Sequence, residues 1–175
     1  MSFKFPVLVF GLLLLSGCVP DRVILKDISN SNIRDELRTK LDCPKIIASF
    51  EDSRSIQNIG SLGSIEVESN DFMGQLQSEF SNAGFIFDNI EGNLNRSHIL
   101  NLKLKHAYVR RSYSSITSNI VVGVSTGLDS HFKYYRGNHN RLYWSDADKE
   151  INQSFSYAIM NLINDLAEDL NKQCL

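Results

Sequence analysis

Cysteine and proline are both scarce in this sequence, which holds three of each among 175 residues. So few cysteines exclude a small scaffold built on many disulfides, and so few prolines exclude a proline-rich or collagen-like chain. No apolar run approaches the roughly 20 residues that a membrane-spanning helix needs. No segment repeats with a period of about 20–50 residues, which argues against a solenoid or a propeller.

An excess of charge of one sign is also lacking. The chain has 18 lysines and arginines against 20 acidic residues, for a formal net charge of −2. We therefore expect no nucleic-acid partner, although the composition leaves a local basic patch open. Hydrophobic residues make up 42% of the chain and charged residues 22%, so we expect one packed domain rather than disorder.

The N-terminus has the pattern of a secretory leader. Lys4 precedes an apolar run over residues 5–15, and two small residues follow. Cys18 then completes a Leu-Ser-Gly-Cys sequence that resembles a bacterial lipobox. The resemblance implies cleavage of a lipoprotein signal peptide, residues 1–17, and a membrane anchor of diacylglyceryl and acyl groups on Cys18. The alternative is an ordinary secretory signal followed by a chance cysteine.

The residue after the predicted anchor bears on the destination of the protein. Lipoproteins kept in the inner membrane usually carry Asp at this position, so by resemblance Val19 favours the outer membrane, with the domain facing the periplasm. Residues 18–42 are mixed and polar, and we interpret them as the acylated N-terminus and a tether with a short helix at 32–41.

The other two cysteines, Cys43 and Cys174, form an even pair in an oxidising compartment and are candidates for a disulfide. Such a bond would tie the start of the folded domain to its C-terminal end. In the loop-entropy model it would stabilise the fold by about 4–5 kcal/mol. The alternative is two unpaired thiols. Neither cysteine has a motif typical of a catalytic thiol.

Hydrophobic periodicity predicts an α+β domain over residues 43–172. Apolar residues at helical spacing predict a helix from Asp71 to Ala83, capped by Ser69 or Asn70, and a longer helix behind Ser145. Extended segments are predicted at 45–50, 65–67, 85–87, 98–106, 119–124 and 131–136, the last three as an antiparallel meander with a polar turn at 112–118. We expect two layers, a mainly antiparallel sheet with two amphipathic helices on one face.

No motif in the chain points to catalysis, a metal or a cofactor. The four histidines lack the spacing of metal ligands, and His131 and His139 are interpreted as flanking a Gly-Asn turn. No G-x-S-x-G or phosphate-binding glycine pattern occurs. Glu51 and Asp52, which end the first strand, are the carboxylate pair that a catalytic dyad would use. We nevertheless expect no enzyme activity.

Basic and aromatic residues concentrate on the predicted meander. One interpretation is a solvated sheet face, and the functional one is a docking surface for a protein or for an anionic envelope polymer or lipid. The residues predicted to form this partner surface are Lys103, Lys105, Arg110, Tyr134 and Arg136.

Several short motifs carry a resemblance to a known family. They are the lipobox, Asp52-Ser-Arg54 after the first strand, the Gly60/Gly63 loop, Ala83-Gly-Phe85 after the helix, the Leu-x-Leu-x-Leu strand and Tyr135-Arg-Gly137. Over about residues 43–172 the chain resembles the YajG-like family of bacterial envelope lipoproteins. The resemblance implies a small α+β domain on an outer-membrane lipid anchor, without enzyme activity, cofactor or catalytic residues.

These observations favour a non-catalytic outer-membrane lipoprotein that serves an accessory or assembly role through contacts with an envelope protein. The alternative is an auxiliary lipoprotein of an envelope transport system, which would have a hydrophobic groove or a basic site for lipid or polysaccharide. A cell-wall hydrolase would need a pocket holding Glu51, Asp52 or a histidine with a shifted pKa. The sequence does not predict the oligomeric state.

Overall fold

Two helices pack on one face of a mixed seven-stranded sheet, which confirms the predicted α+β fold. The structure, a computed structural model, describes residues 22–25, 39–43, 46–56, 58–62, 65–69, 71–87, 99–127, 131–142 and 147–173. The strands are β1 (Arg22–Ile24), β2 (Ile47–Asp52), β3 (Gly60–Leu62), β4 (Ile65–Glu68), β5 (Ile99–Ser112), β6 (Ser115–Thr126) and β7 (Lys133–Leu142). The helices are α1 (Phe72–Asn82) and α2 (Ala147–Gln173).

Several predicted features lie outside the described residues. They are the leader, Cys18, Cys174, Gly63, Asn70, Ser145 and most of the short helix predicted at 32–41. The described part of that predicted helix, residues 39–41, is not helical.

The three longest strands form the predicted antiparallel meander, β5–β6–β7. Leu100, Leu102 and Leu104 are buried, whereas the residues between them are partly exposed, as a sheet with one covered face requires. The strands are longer than predicted, since pairing continues to Ser112 and resumes at Ser115. The polar turn therefore shrinks to two residues.

The strand β7 also runs through the Gly-Asn pair that the sequence suggested as a turn. Gly137 pairs with Ile120 and Asn138 with Asn119, so His131 and His139 do not flank a turn. The physical reason for this glycine is close packing: a Cβ on Gly137 would lie 1.8 Å from the carbonyl oxygen of Ala158 in α2. At this point β7 and α2 approach each other backbone to backbone.

Helix α1 begins and ends close to the predicted positions. Asp71 is the N-cap, one or two residues after the predicted candidates, and its carboxylate accepts a hydrogen bond of 3.0 Å from the backbone N–H of Gly74. Gly84 follows the helix with φ +104, in the left-handed region typical of a residue that ends a helix. The predicted strand at 85–87 is reduced to one bridge between Ile86 and Ile47.

Helix α2 covers the sheet with the apolar stripe that the sequence predicts. Its fully buried apolar residues are Ile151, Phe155, Ala158, Ile159, Leu162, Leu166 and Ala167. Phe155 meets Phe72 of α1 edge to face, with ring centroids 5.8 Å apart. Both helices therefore belong to one layer over one core.

The far edge of the sheet differs most from the prediction. The strand order is β1-β4-β3-β5-β6-β7, and β2 pairs with β5 in parallel. Strand β1 lies inside the segment 18–42 that the sequence suggested as a tether. It pairs in parallel with β4, and the backbone N–H of Leu25 donates to the carbonyl of Glu68 at 2.8 Å. A three-residue strand shows no periodicity of its own, so only its distant partner defines it.

The end of the predicted tether also packs on the domain. The backbone N–H of Thr39 donates to Asn164 of α2 at 2.8 Å, and that of Leu41 donates to the carbonyl of Ala83 at 3.1 Å. Cys43 follows directly and is buried, with its sulfur 3.4 Å from the carbonyl oxygen of Leu170. This segment is thus held against the C-terminal half of α2.

His139 gives the fold a predicted pH dependence. Its ring stacks on Tyr157 with centroids 4.7 Å apart, and its buried Nδ1 has no hydrogen-bond partner among the described residues. Burial, and secondarily the charge of Arg141, lowers the pKa of His139 below its usual 6.5. The folded state therefore binds fewer protons than the unfolded state, and stability is lost as the pH falls below about 6.5.

We expect the free energy of unfolding to fall between pH 7.5 and pH 5.5, and His139→Phe to flatten this slope while keeping the ring stack. Urea unfolding of the natural protein and of His139→Phe at several pH values measures the free energy of unfolding and its slope with pH. A variant with the same slope as the natural protein would contradict the assignment to His139.

Candidate functional site

The sheet face opposite the helices is open and carries all five residues of the predicted partner surface. Lys103 pairs across the sheet with Gly123 and then Tyr134, and the next row contains His106, Val121 and Arg136. Two further rows bring Arg110 to the same side. We call this side of β5, β6 and β7 the open face.

The three strands of the meander contain no Asp or Glu. The structure divides their basic residues between the two sides of the sheet. Lys133 turns toward α2, where it pairs with Asp169, and Arg141 donates to Gln153 of the same helix. Arg111 lies in register with Ile116 and Arg141 and so belongs to the helix-covered side. The basic residues on the open face are therefore Lys103, Lys105, Arg110 and Arg136.

The ion pair of Lys133 and Asp169 belongs to the helix-covered side and is structural. Tyr135 donates its hydroxyl to Asp169 at 3.0 Å. The hydrogen bond from Lys133, and then that from Tyr135, lowers the pKa of Asp169, and the same carboxylate raises the pKa of Lys133. These groups fasten β7 to the end of α2.

Among the cations of the open face, Lys103 alone has a close acidic partner within the described part of the chain. Its Nζ lies 2.9 Å from Glu51 of β2 and 5.4 Å from the centre of the Phe132 ring. The hydrogen bond from Lys103, with a second from Ser53, lowers the pKa of Glu51. Glu51 is therefore an ionised partner of Lys103, the opposite of what a general acid would need.

Aromatic rings lie over the centre of the open face. A Cβ on Gly123 would lie 3.1 Å from the ring of Tyr134 and 3.2 Å from that of Phe132, so the glycine leaves room for both rings. Tyr134 is 60% exposed, and Tyr108 is 43% exposed two strands away. Exposed tyrosines among cations are typical of binding surfaces.

Asp52, the second carboxylate of the possible dyad, faces away from Glu51 along the strand. Its oxygens accept from Arg54, Nε at 2.9 Å and Nη2 at 2.7 Å, and the Arg54 side chain is only 5% exposed. The Arg54 guanidinium also lies 5.3 Å from the centre of the Phe72 ring. The structure therefore separates the two carboxylates and places Asp52 in a largely buried ion pair.

A cavity of about 430 Å³ opens between β5 and the segment that joins β2 to β3. The sequence does not predict this cavity, because it forms where β5 and the distant segment from β2 to β3 separate and then pair again. Its described lining residues are Arg54, Ser55, Ile56, Asn58, Gly60, Ser61, Lys105, His106, Ala107 and Tyr108. Lys105 thus belongs both to the open face and to this cavity.

Cys43 is a disulfide cysteine in the structure, and its partner lies outside the described residues. The sulfur sits beside Leu170 and Asn171, one turn of α2 before position 174. This location is compatible with the predicted bond to Cys174, which remains a prediction.

Among the described residues, no group of three or more histidine, cysteine or acidic side chains could hold a metal ion. The described helices are also too short or too polar to cross a membrane. No cofactor site is assigned.

Comparison with known proteins yields likeness to solved structures alone. No protein-family model and no curated protein matches the chain. Among solved structures, the chain is similar to one described only as the crystal structure of an uncharacterized protein. The identity is 8% over 78% of this chain and 97% of that chain, with a TM-score of 0.43. So distant a likeness carries no functional argument, and the resemblance to the YajG-like family stays a prediction.

Proposed function

We propose that this protein is a non-catalytic lipoprotein of the bacterial outer membrane, which faces the periplasm and binds an acidic envelope protein in an accessory or assembly role. The observation that carries the proposal is the open face: neither of the described helices covers it, and its three strands contain cations and tyrosines but no carboxylate. Charge complementarity selects an acidic partner, because like charges across an interface cost several kcal/mol.

The short reach from the proposed anchor to the sheet supports this role. Strand β1 begins at Arg22, four positions after Cys18. Fully extended, these four residue steps span at most about 14 Å. The domain would therefore lie directly at the membrane surface, without a long flexible tether. Its partner would be a protein at the same membrane surface.

In-cell photo-crosslinking of the full chain tests the proposal. A benzoylphenylalanine in place of Tyr134 puts the probe on the open face, and one in place of Asp148 puts it on the exposed side of α2. We expect a discrete adduct with an acidic envelope protein from position 134 alone. Arg110→Glu/Arg136→Glu should reduce it at least tenfold.

Lys40→Glu/Lys172→Glu is the matched control, since it makes the same charge change near the end of α2 and should leave the adduct intact. Fractionation of the same cells checks the anchor: Cys18→Ser should release the protein from the membrane fraction and abolish acyl labelling. Equal adducts from both probe positions, or an adduct insensitive to the charge reversal on the open face, would contradict the proposal.

The transport-auxiliary function remains the second candidate. It predicts a basic or apolar site for a small part of a lipid or polysaccharide, and the cavity beside Lys105 is the observation that favours it. A cavity of this volume takes a small molecule or a headgroup, in the lower part of the usual 300–1,000 Å³ range.

A further inference from the structure

The cavity lies beside a stretch of β5 that, among the described strands, has no neighbour on one side, between the end of β2 and the start of β3. Strand β2 stays paired until Asp52, opposite Leu104, and β3 resumes the pairing at Gly60, opposite Val109. Within the described ranges, residues 105–108 of β5 have no strand partner on this side. The backbone of the sheet is thus accessible from the cavity over four residues.

Both ends of this opening are fixed. At one end, the N–H of Ser53 donates to the carbonyl of Leu104 at 3.0 Å, and at the other the N–H of Val109 donates to that of Ile59 at 2.7 Å. Gly60 has φ +116, and a Cβ there would lie 2.3 Å from the carbonyl oxygen of Val109. Only glycine permits this contact, so the opening has a defined width.

A β-bulge aims two basic side chains at the opening. The register of β5 against β6 shifts between Leu104 and His106, which leaves Lys105 as the extra residue. A bulge re-aims side chains and is frequent beside binding sites. Here it places Lys105 and His106 together on the cavity wall, and the described lining includes no Asp or Glu.

The donors that line the cavity suit an anion bound by point donors, such as a phosphate. The forked donors of Arg54 that match a carboxylate are already bound to Asp52. The other donors of the lining are the Lys105 ammonium, the His106 ring and the hydroxyls of Ser55 and Ser61. A lysine ammonium is a common phosphate ligand, which it binds as a point charge.

The rim of the cavity is apolar. Ile56 is 68% exposed and Tyr108 is 43% exposed, and both line it. The geometry points to a binding site for a phosphate ester with an apolar substituent, its phosphate at Lys105 and His106 and its substituent between Ile56 and Tyr108. This site shares Lys105 with the open face, but the test of the docking role uses Arg110 and Arg136, which do not line the cavity.

Isothermal titration of the full chain tests this site with water-soluble probes that do not partition into detergent. The probes are inorganic phosphate, phenyl phosphate, glycerophosphoglycerol and benzoate. We expect phenyl phosphate to bind at least tenfold more tightly than inorganic phosphate and than benzoate. Binding of glycerophosphoglycerol, a diester, would assign the site to a phospholipid headgroup, whereas binding of the monoester alone would assign it to a soluble phosphate ester.

Two variants locate the binding. Lys105→Gln should weaken phenyl phosphate at least tenfold, because it removes a charge-assisted hydrogen bond. Lys103→Gln makes the same charge change on the same strand but outside the cavity, and should leave the affinity within about twofold. Ile56→Ser should weaken phenyl phosphate and leave inorganic phosphate unchanged.

Three results would overturn the site: no saturable binding of any phosphate ester, benzoate binding as tightly as phenyl phosphate, or equal losses from Lys105→Gln and Lys103→Gln. Adduct formation in the crosslinking experiment does not depend on this outcome, so failure of the site and failure of the docking role are distinguishable. His106→Gln provides a second variant of the same wall, with an expected loss of at least threefold.

Discussion

Replacing Gly137 by alanine is expected to lower the free energy of unfolding by about 3 kcal/mol or more, at the upper end of what overpacking costs. The added Cβ would lie 1.8 Å from the carbonyl oxygen of Ala158 and 2.8 Å from the Cβ of Leu162. The first contact is with helix backbone, which no side-chain rotation relieves. Helix α2 must shift away from β7, and the core between them opens.

Gly123 provides the control, since it lies one strand away on the opposite side of the sheet. A Cβ there meets only the rings of Tyr134 and Phe132, at 3.1 and 3.2 Å, and these rings have room to move on the open face. Gly123→Ala should change stability by less than about 1 kcal/mol. Urea unfolding of both variants measures the difference. Equal stability of Gly137→Ala and the natural protein would refute the close packing of β7 on α2.

Loss of the disulfide at Cys43 is the second large effect, with an expected cost of about 2–5 kcal/mol. We predict that Cys174 is the partner, because Cys43 is a disulfide cysteine held beside Leu170 near the end of α2. A bond between positions 43 and 174 closes most of the domain into one loop. It therefore removes much conformational freedom from the unfolded chain.

Non-additivity identifies the partner. Cys43→Ser and Cys174→Ser should each lower the melting temperature, and the double variant should lower it no further, because one bond is lost in all three. Cys18→Ser should leave the melting temperature unchanged. If Cys18→Ser destabilised the domain instead, Cys18 would be the disulfide partner, and its acylation would be excluded. Peptide mapping without reducing agent reads the bond directly.

The elements with strong local patterns were predictable from the sequence. Leu100, Leu102 and Leu104 alternate with polar residues, and the stripe from Ile151 to Leu170 repeats at helical spacing. Strand β5 and helix α2 can therefore be predicted without knowing which elements they pack against. The layer arrangement follows, because two amphipathic helices and a sheet with one wet face have few ways to bury their apolar sides. The five residues of the predicted partner surface share the open face for the same reason.

The remaining features depend on contacts that are distant along the chain. Strand β1 forms because it pairs with β4, and its own three residues show no periodicity that would predict a strand. Lys133 and Arg141 are basic residues of the same meander, but their places in the register turn them toward α2. The cavity arises from a bulge at Lys105 combined with the departure of β2, and neither has a local sequence pattern.

The contacts of the segment 39–43 with α2 also constrain the order in which the chain can fold. Thr39 bonds to Asn164, and Asp42 bonds to Asn171, so partners 125 and 129 residues apart must meet. Contacts of such sequence separation form late, after the loop between them has closed. The inner face of the sheet remains uncovered until α2 has packed on it. Helix α2 thus completes the native state, and a chain truncated before residue 147 would expose the apolar sheet face on which aggregation starts.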